Sequence, residues 1–246
     1  MQIQTREADL KVDGRPMRTV VVSPKPDGPY PGILLYSEIF QLTAPIRRSM
    51  ERLAGHGFVV AGPEIYHRIE PPGTVIAYDD AGRMRGQDDA ARTSAAEFDA
   101  DRSAVLDYFG LQPDVAAGKL GTMGFCIGGH LAFRAALDPR VNAAVCCYPT
   151  GLHNGRVGKD ADAGTLDRAR EIQGELLVVF GATDPHVPED ARRKVAAALA
   201  DARVKHRIHL APGEHAFMRD EGPRYDPEGA DEVWRMAVEL FRRVLG

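Results

Sequence analysis

The hydrophobic pattern of the chain alternates between two kinds of stretch. Short continuous apolar runs, typical of strands buried inside a parallel sheet, are followed by stretches in which apolar residues recur with the spacing of one helix face. The pattern predicts strands at 2–12, 17–22, 32–36, 58–61, 119–125, 141–148, 175–180 and 205–210. It predicts helices at 44–56, 87–109, 127–137, 165–172, 189–202 and 228–245.

This order of elements predicts the topology of the fold. Residues 2–12 and 17–22 flank an Asp13-Gly14 turn and are expected to form a hairpin, and 205–210 alternates in polarity as an edge strand does. Elsewhere strands and helices alternate, which is typical of a mostly parallel sheet with helices on both faces. We therefore expect an α/β fold with a sheet of about eight strands. Residues 64–82, rich in turn residues, are expected to form a long surface loop.

Composition narrows the class of protein. The 246 residues are 44% hydrophobic and 27% charged, as in ordinary globular proteins, and 1–246 is expected to be a single domain. The net charge of −4, without a basic cluster, argues against nucleic acid as a partner. The N-terminus lacks an apolar signal segment and no apolar run is long enough to span a membrane, so a cytoplasmic protein without a membrane partner is expected. The three cysteines form no pattern that predicts a zinc site.

The most informative segment is Gly124-Phe-Cys126-Ile-Gly128, between a predicted strand and a predicted helix. It matches the nucleophile-elbow pattern G-x-S-x-G, with cysteine in place of serine. Glycine is needed on both sides because a side chain there would collide with the neighbouring strand and helix. A cysteine at a helix N-terminus is favoured as a thiolate, and the backbone N–H of Ile127 would face a tetrahedral oxyanion. The alternative interpretation is a glycine-rich turn around a buried structural cysteine.

Further polar residues follow other predicted strands. Glu38 comes after 32–36, Asp184 after 175–180 and His215 after 205–210, and the carboxyl ends of parallel strands meet at one edge of the sheet. The chain order of nucleophile, acid and histidine is that of α/β-hydrolases. An imidazole can take the proton of a thiol, and a buried carboxylate can hold the imidazole in the required tautomer. Taken singly, each residue has a plainer interpretation as a turn or loop residue.

These motifs resemble those of the dienelactone hydrolases (carboxymethylenebutenolidases), over essentially the whole chain. The resemblance rests on Gly124-Phe-Cys126-Ile-Gly-Gly129, Gly181-Ala-Thr-Asp184-Pro-His-Val-Pro188 and Gly213-Glu-His215-Ala-Phe217. Glu38-Ile39 and Pro63-Glu-Ile-Tyr66 add to it.

The resemblance implies an α/β-hydrolase fold and a set of catalytic residues. The implied triad is Cys126, His215 and Asp184, with an oxyanion hole formed by the backbone N–H groups of Ile39 and Ile127. It also implies that Glu38 contacts the thiol at rest. A carboxylate beside a thiol disfavours the thiolate and so protects it from oxidation.

Two arginines hold the substrate carboxylate in proteins of this family. Arg219 matches one of them in position, whereas the second falls nearest Met84, between Arg83 and Arg85. Tyr66 is a further candidate for substrate binding. This chain departs from the family pattern in lacking a tyrosine four residues after the second arginine.

The sequence therefore predicts a cofactor-independent hydrolase, without a metal, that opens a small and anionic lactone or ester through an acyl-thioester. Two alternatives stay open: a broad carboxylesterase or thioesterase with the same triad, and a non-catalytic protein that binds a ligand or senses oxidants through Cys126. The family favours a monomer.

Overall fold

A computed structural model describes residues 1–26 and 28–246, and over these residues the strands form one eight-stranded sheet. Its order is β1-β2-β4-β3-β5-β6-β7-β8. The strands are β1 Gln2–Val12, β2 Arg15–Lys25, β3 Tyr30–Tyr36, β4 Val59–Pro63, β5 Val115–Phe125, β6 Val141–Cys147, β7 Glu175–Gly181 and β8 His206–Ala211.

The sheet is antiparallel at one edge and parallel elsewhere. β1 pairs with β2 across a turn at Asp13 and Gly14, both of which have positive φ, as a tight hairpin turn requires. β2 is also antiparallel to β4, whereas the remaining neighbours from β4 to β8 are parallel. The predicted α/β class, the terminal hairpin and the edge position of β8 are confirmed.

Helices cover both faces of this sheet. They are α1 Ala44–Gly55, α2 Asp80–Arg92, α3 Ala95–Leu111, α4 Ile127–Ala135, α5 Glu189–Asp201 and α6 Pro227–Leu245. α1 and α6 pack on one face together with alternate strand residues such as Ile33 and Cys147. α3, α4 and α5 pack on the other face with their neighbours Leu34 and Cys146. This alternation is the two-residue period of a strand buried on both sides.

The predicted helix 87–109 is wrong, because the chain forms two helices that meet at Thr93 and Ser94. The hydroxyl oxygen of Ser94 accepts a hydrogen bond from the Glu97 backbone N–H at 3.1 Å, and the Glu97 carboxylate accepts one from the Ser94 backbone N–H at 2.7 Å. This reciprocal capping box starts α3 and stops α2. The apolar residues of the predicted inner face, from Ala95 to Phe109, all belong to α3, so their spacing carries no signal for where α2 ends.

Two other predictions need correction. Residues 64–82 do not form a surface loop throughout, because Ile65, Tyr66 and Ile76 are buried in the core. The backbone N–H of Ile76 donates to the Phe40 carbonyl at 3.1 Å, which fixes this segment against the loop after β3. The short helix predicted at 165–172 is reduced to a single 3₁₀ turn, Ala169–Glu171. Within 1–26 and 28–246, no helix combines the length and apolarity needed to cross a membrane.

We expect Ser94→Ala to lower the free energy of unfolding by about 1 kcal/mol, because loss of the cap leaves an N-terminal N–H without an acceptor. The matched control is Ser103→Ala, whose hydroxyl bonds a carbonyl of the same helix and caps nothing. The bonds from Ser94 lower the pKa of Glu97 from 4.5 to about 2. The contribution of the Glu97 carboxylate to the free energy of unfolding is therefore complete above pH 4.5 and is lost as the pH falls through 2. Urea unfolding at pH 7 and pH 3 measures both effects. Equal losses in the two variants would contradict the capping role.

Candidate active site

Four loops at the carboxyl edge of the sheet bring the candidate residues together. Glu38 follows β3 and Cys126 follows β5, its direct neighbour, while Asp184 follows β7 and His215 follows β8. Cys126, His215 and Glu38 line one cleft of about 1050 Å³, together with Ile39 and Ile127. The sequence and the structure therefore place these residues at the same edge of the sheet.

The turn that carries Cys126 is strained and closely packed. Cys126 has φ of 59° and ψ of −121°, a conformation that non-glycine residues rarely adopt. A Cβ at Gly124 would fall on the carbonyl oxygen of Gly128, and one at Gly128 would fall on the carbonyl oxygen of Ser37. The glycines are required because the start of α4 lies directly against β5 and against the end of β3. Ile127 opens α4, so its backbone N–H is among those without an acceptor inside the helix.

His215 and Asp184 form a buried pair. The Nδ1 atom of His215 lies 2.7 Å from the Asp184 Oδ2 atom, and both residues are largely excluded from solvent. The other carboxylate oxygen accepts a hydrogen bond from the backbone N–H of His186 at 2.8 Å. Burial raises the pKa of Asp184, but the His215 ring and these hydrogen bonds outweigh burial, so the pKa lies below its usual value. The Asp184 carboxylate is therefore charged at neutral pH.

The other side of the His215 ring faces Cys126. Burial opposes protonation of the ring, but a Cys126 thiolate and the hydrogen bonds to Cys126 and Asp184 outweigh burial and raise the pKa of His215 to about 10. The hydroxyl of Thr150 lies 3.8 Å from the Cys126 sulfur. His215 therefore has two partners, the Asp184 carboxylate and Cys126.

Glu38 is placed differently from what the resemblance implies. Its carboxylate lies 3.6 Å from the Arg219 guanidinium and accepts a hydrogen bond from the Tyr78 hydroxyl at 3.2 Å, and it makes no hydrogen bond to Cys126. The physical reason is charge compensation, because Glu38 is buried and Arg219 supplies the nearby cation. Burial nevertheless raises the pKa of Glu38, and the charges of Arg219 and His215 oppose that rise.

The candidate substrate-binding residues fall into two groups. Arg219 and Arg83 line the cleft, Arg219 stacked on Tyr78 and Arg83 paired with Asp80 at 3.3 Å. Arg85 does not line the cleft, because its guanidinium binds the Glu70 carboxylate at 2.7 Å.

Tyr66 does not line the cleft either. Its side chain is buried in the core, and its backbone N–H donates to the Gln41 side-chain oxygen at 3.3 Å. Within the described ranges its hydroxyl has no hydrogen-bond partner.

Sequence reasoning missed several residues of this site, among them Tyr78 and Thr150. Tyr78 and Thr150 contact Glu38 and Cys126 respectively, and neither belongs to a motif. His186, which the sequence places beside Asp184, packs its ring edge-on against the His215 ring, with centroids 4.7 Å apart. Within 1–26 and 28–246, no group of His, Cys, Asp and Glu side chains is arranged to hold a metal ion.

Known proteins resemble this chain over nearly its whole length. The family model described as "Dienelactone hydrolase family" matches residues 17–245. A "Putative carboxymethylenebutenolidase" of Saccharomyces cerevisiae is 36% identical over 242 residues, covering 94% of this chain and 88% of the relative. A protein of the same description from Synechocystis is 32% identical over 219 residues, covering 89% of this chain and 88% of that relative.

A solved structure agrees with this assignment. The structure titled "Crystal Structure of Putative Dienelactone Hydrolase from Klebsiella pneumoniae" superposes with a TM-score of 0.85 at 25% identity, covering 99% of this chain and 100% of the other. The expected α/β-hydrolase fold is confirmed. The chain belongs to the dienelactone hydrolase family of hydrolases.

Proposed function

We propose that this hydrolase cleaves a small carboxylic ester or lactone, with Cys126 as nucleophile, His215 as general base and acid, and Asp184 as the residue that orients His215. The observation that carries the proposal is one histidine ring shared between a buried carboxylate at 2.7 Å and a cysteine at a strained strand-to-helix turn. A nucleophile, a base and a residue that orients the base are the parts that acyl transfer needs.

In the proposed reaction, His215 takes the proton of the Cys126 thiol and the sulfur attacks the substrate carbonyl carbon. The carbonyl electrons move to oxygen, and the resulting oxyanion is stabilised by the backbone N–H groups of Ile39 and Ile127. Collapse breaks the carbon–oxygen bond of the ester, and the leaving oxygen receives the proton from His215. An acyl-thioester remains, and in a lactone the leaving oxygen stays attached to it.

Water completes the proposed cycle. His215 takes a proton from water and the resulting hydroxide attacks the thioester carbon. As the tetrahedral adduct collapses, the Cys126 sulfur leaves and receives the proton from His215, which restores the thiol and the neutral imidazole. The products are a carboxylic acid and an alcohol, or one hydroxy acid from a lactone. Asp184 stays deprotonated throughout and stabilises the imidazolium.

The charges of the cleft support an anionic substrate. Arg219 and Arg83 line it, and so do Arg156 and Arg224, which provides cations for a carboxylate. The relatives are named carboxymethylenebutenolidase and dienelactone hydrolase, and both names refer to the hydrolysis of a lactone.

A second candidate is a carboxylesterase with broader substrates. The cleft of about 1050 Å³ lies at the upper end of the size that accommodates drug-sized ligands, which exceeds the needs of a small lactone. Arg219 is also already paired with Glu38, so its charge is partly compensated before a substrate binds.

We expect Cys126→Ala to abolish turnover of dienelactone and of p-nitrophenyl esters, because alanine offers no nucleophile. Steady-state assays with cis- and trans-dienelactone, p-nitrophenyl acetate and p-nitrophenyl butyrate measure this, and thermal unfolding confirms that the variant folds. If the unmodified chain hydrolyses the p-nitrophenyl esters but not dienelactone, the second candidate is favoured. Turnover that persists in a folded Cys126→Ala variant would exclude Cys126 as the nucleophile.

Asp184→Asn should lower kcat by as much as about 10⁴-fold while leaving the fold intact, since the amide neither holds the tautomer nor stabilises the imidazolium. Because Asp184 raises the pKa of His215, its loss lowers that pKa and weakens His215 as the acceptor of the Cys126 proton. The rate of Cys126 alkylation by iodoacetamide at pH 7 should therefore also fall. Asp201→Asn, at the exposed end of α5, is the matched control. Unchanged kinetics in Asp184→Asn would contradict the triad.

The role of Arg219 is tested in a Glu38→Gln background, so that its removal leaves no unpaired carboxylate. Arg219→Ala should raise KM for p-nitrophenyl hemisuccinate roughly 10- to 100-fold, because hydrogen bonds to charged groups contribute about 1.5–3 kcal/mol. KM for the neutral p-nitrophenyl butyrate, of the same chain length, should change little. An equal rise for both esters would show that Arg219 does not bind the substrate carboxylate.

A further inference from the structure

Tyr78 lies at the junction of the two charged groups that flank the candidate nucleophile. Its hydroxyl donates a hydrogen bond to the Glu38 Oε2 atom at 3.2 Å. The Arg219 guanidinium carbon lies 4.1 Å from the centre of the Tyr78 ring, which is a cation–π contact. One side chain therefore contacts both partners of the Glu38–Arg219 pair, through two different kinds of interaction.

Tyr78 is itself held firmly from two directions. The Phe40 ring packs edge-on against it, with centroids 4.7 Å apart. The Thr43 and Tyr78 hydroxyl oxygens are 2.6 Å apart. Because the one phenolic proton of Tyr78 points to Glu38, the Thr43 hydroxyl must be the donor in this second bond. Hydrogen bonds then run in one direction, from Thr43 to Tyr78 to Glu38.

Thr43 occupies a position where its hydroxyl would normally have another use. It is the N-cap residue of α1, yet its side chain caps no backbone N–H of that helix. Pro45, in the first turn, lacks an N–H to offer. The hydroxyl is therefore available to Tyr78. Half-buried Tyr78 also stays protonated, since its partial burial and the Glu38 charge both raise its pKa.

We infer that Tyr78 is a positioning residue of the proposed reaction, which with Thr43 holds the Glu38 carboxylate on Arg219 and away from Cys126. The inference rests on the proposed function, because it assigns Glu38 and Cys126 to the same site. It also accounts for the difference between this structure, where Glu38 pairs with Arg219, and the implied contact between Glu38 and the thiol.

The consequence for Cys126 follows from electrostatics. Glu38 lies within electrostatic reach of His215, and both line the cleft with Cys126. Without the Tyr78 hydroxyl, the carboxylate keeps one loose ion pair at 3.6 Å and is free to turn towards the sulfur. There its charge would disfavour the thiolate, and its protonated form would bond the sulfur and make it less nucleophilic.

The test is the rate of Cys126 alkylation by iodoacetamide between pH 6 and pH 9. Cys146 and Cys147 are fully buried in the folded protein, so Cys126 is the accessible thiol. Tyr78→Phe keeps the ring beneath Arg219 and removes the hydroxyl. We expect it to slow alkylation at pH 7 about tenfold, the effect of one pKa unit, and to shift the profile to higher pH. Thr43→Val should produce a smaller shift in the same direction.

A double-mutant cycle separates positioning from a general structural effect. In a Glu38→Gln background the hydroxyl has no carboxylate to hold, so Tyr78→Phe should change the alkylation rate less than twofold. Tyr108→Phe, whose hydroxyl contacts Arg6 far from the cleft, is the control expected to match the unmodified chain. The inference is overturned if Tyr78→Phe alkylates as fast as the unmodified chain, or if it slows alkylation equally in both backgrounds.

Alkylation does not depend on the identity of the ester, which keeps the two proposals distinguishable. A Cys126 thiol that reacts no faster than a free cysteine in the unmodified chain would count against the proposed catalytic function. A fast-reacting Cys126 that is insensitive to Tyr78 would overturn the positioning role alone.

Discussion

The site depends on the close approach of backbone segments around the first turn of α4. A Cβ at Gly128 would fall against the Ser37 carbonyl at the end of β3, and one at Gly129 would fall against the Cys147 carbonyl at the end of β6. The start of the helix is therefore held against two strand ends at once, and Cys126 takes a positive φ between them. The strain is tolerated because the surrounding packing allows no other path for the chain. The loop that carries Glu38 lies beside the sulfur for the same reason.

Charge balance is the second constraint on this edge of the sheet. Two buried carboxylates lie near Cys126, and each has its own cation: Asp184 pairs with His215 and Glu38 pairs with Arg219. A buried carboxylate without a partner would be strongly destabilising or would take up a proton. A Cys126 thiolate adds a third negative charge, which raises the pKa of His215. The way in which Glu38 is held therefore affects how much of the His215 charge is available to the sulfur.

The sequence predicted the parts of this arrangement that short segments determine. The strands, the glycines around Cys126 and the strand-end positions of Asp184 and His215 follow from local pattern and from the geometry of parallel sheets. The break before α3 was missed because the apolar spacing lies within α3 and sets no boundary in the polar stretch before it, although the Ser94-Ala-Ala-Glu97 pattern of a capping box was present in the sequence.

Other features depend on packing that no local pattern encodes. Residues two apart on a helix point to different sides, so Arg83 faces the cleft while Arg85 reaches Glu70. The family pattern places its second arginine nearest Met84, between these two, and so does not tell which of them faces the cleft. Tyr78 and Thr43 lie 35 positions apart and meet only because two loops pack together. The contact between Glu38 and Arg219 joins loops after β3 and β8, so its existence requires the whole sheet.

The two carboxylates differ in a way that bears on substrate choice. Asp184 is held at 2.7 Å by His215 and at 2.8 Å by a backbone N–H, whereas the Glu38–Arg219 distance is 3.6 Å. A tight pair resists competition, while a loose pair exchanges partners at low cost. On the proposed function, an anionic substrate competes with Glu38 for Arg219, whereas a neutral ester leaves that pair undisturbed. In the positioning role inferred for Tyr78, its hydroxyl is the contact that would keep Glu38 in place when Arg219 turns to the substrate, and it would therefore set the cost of that competition.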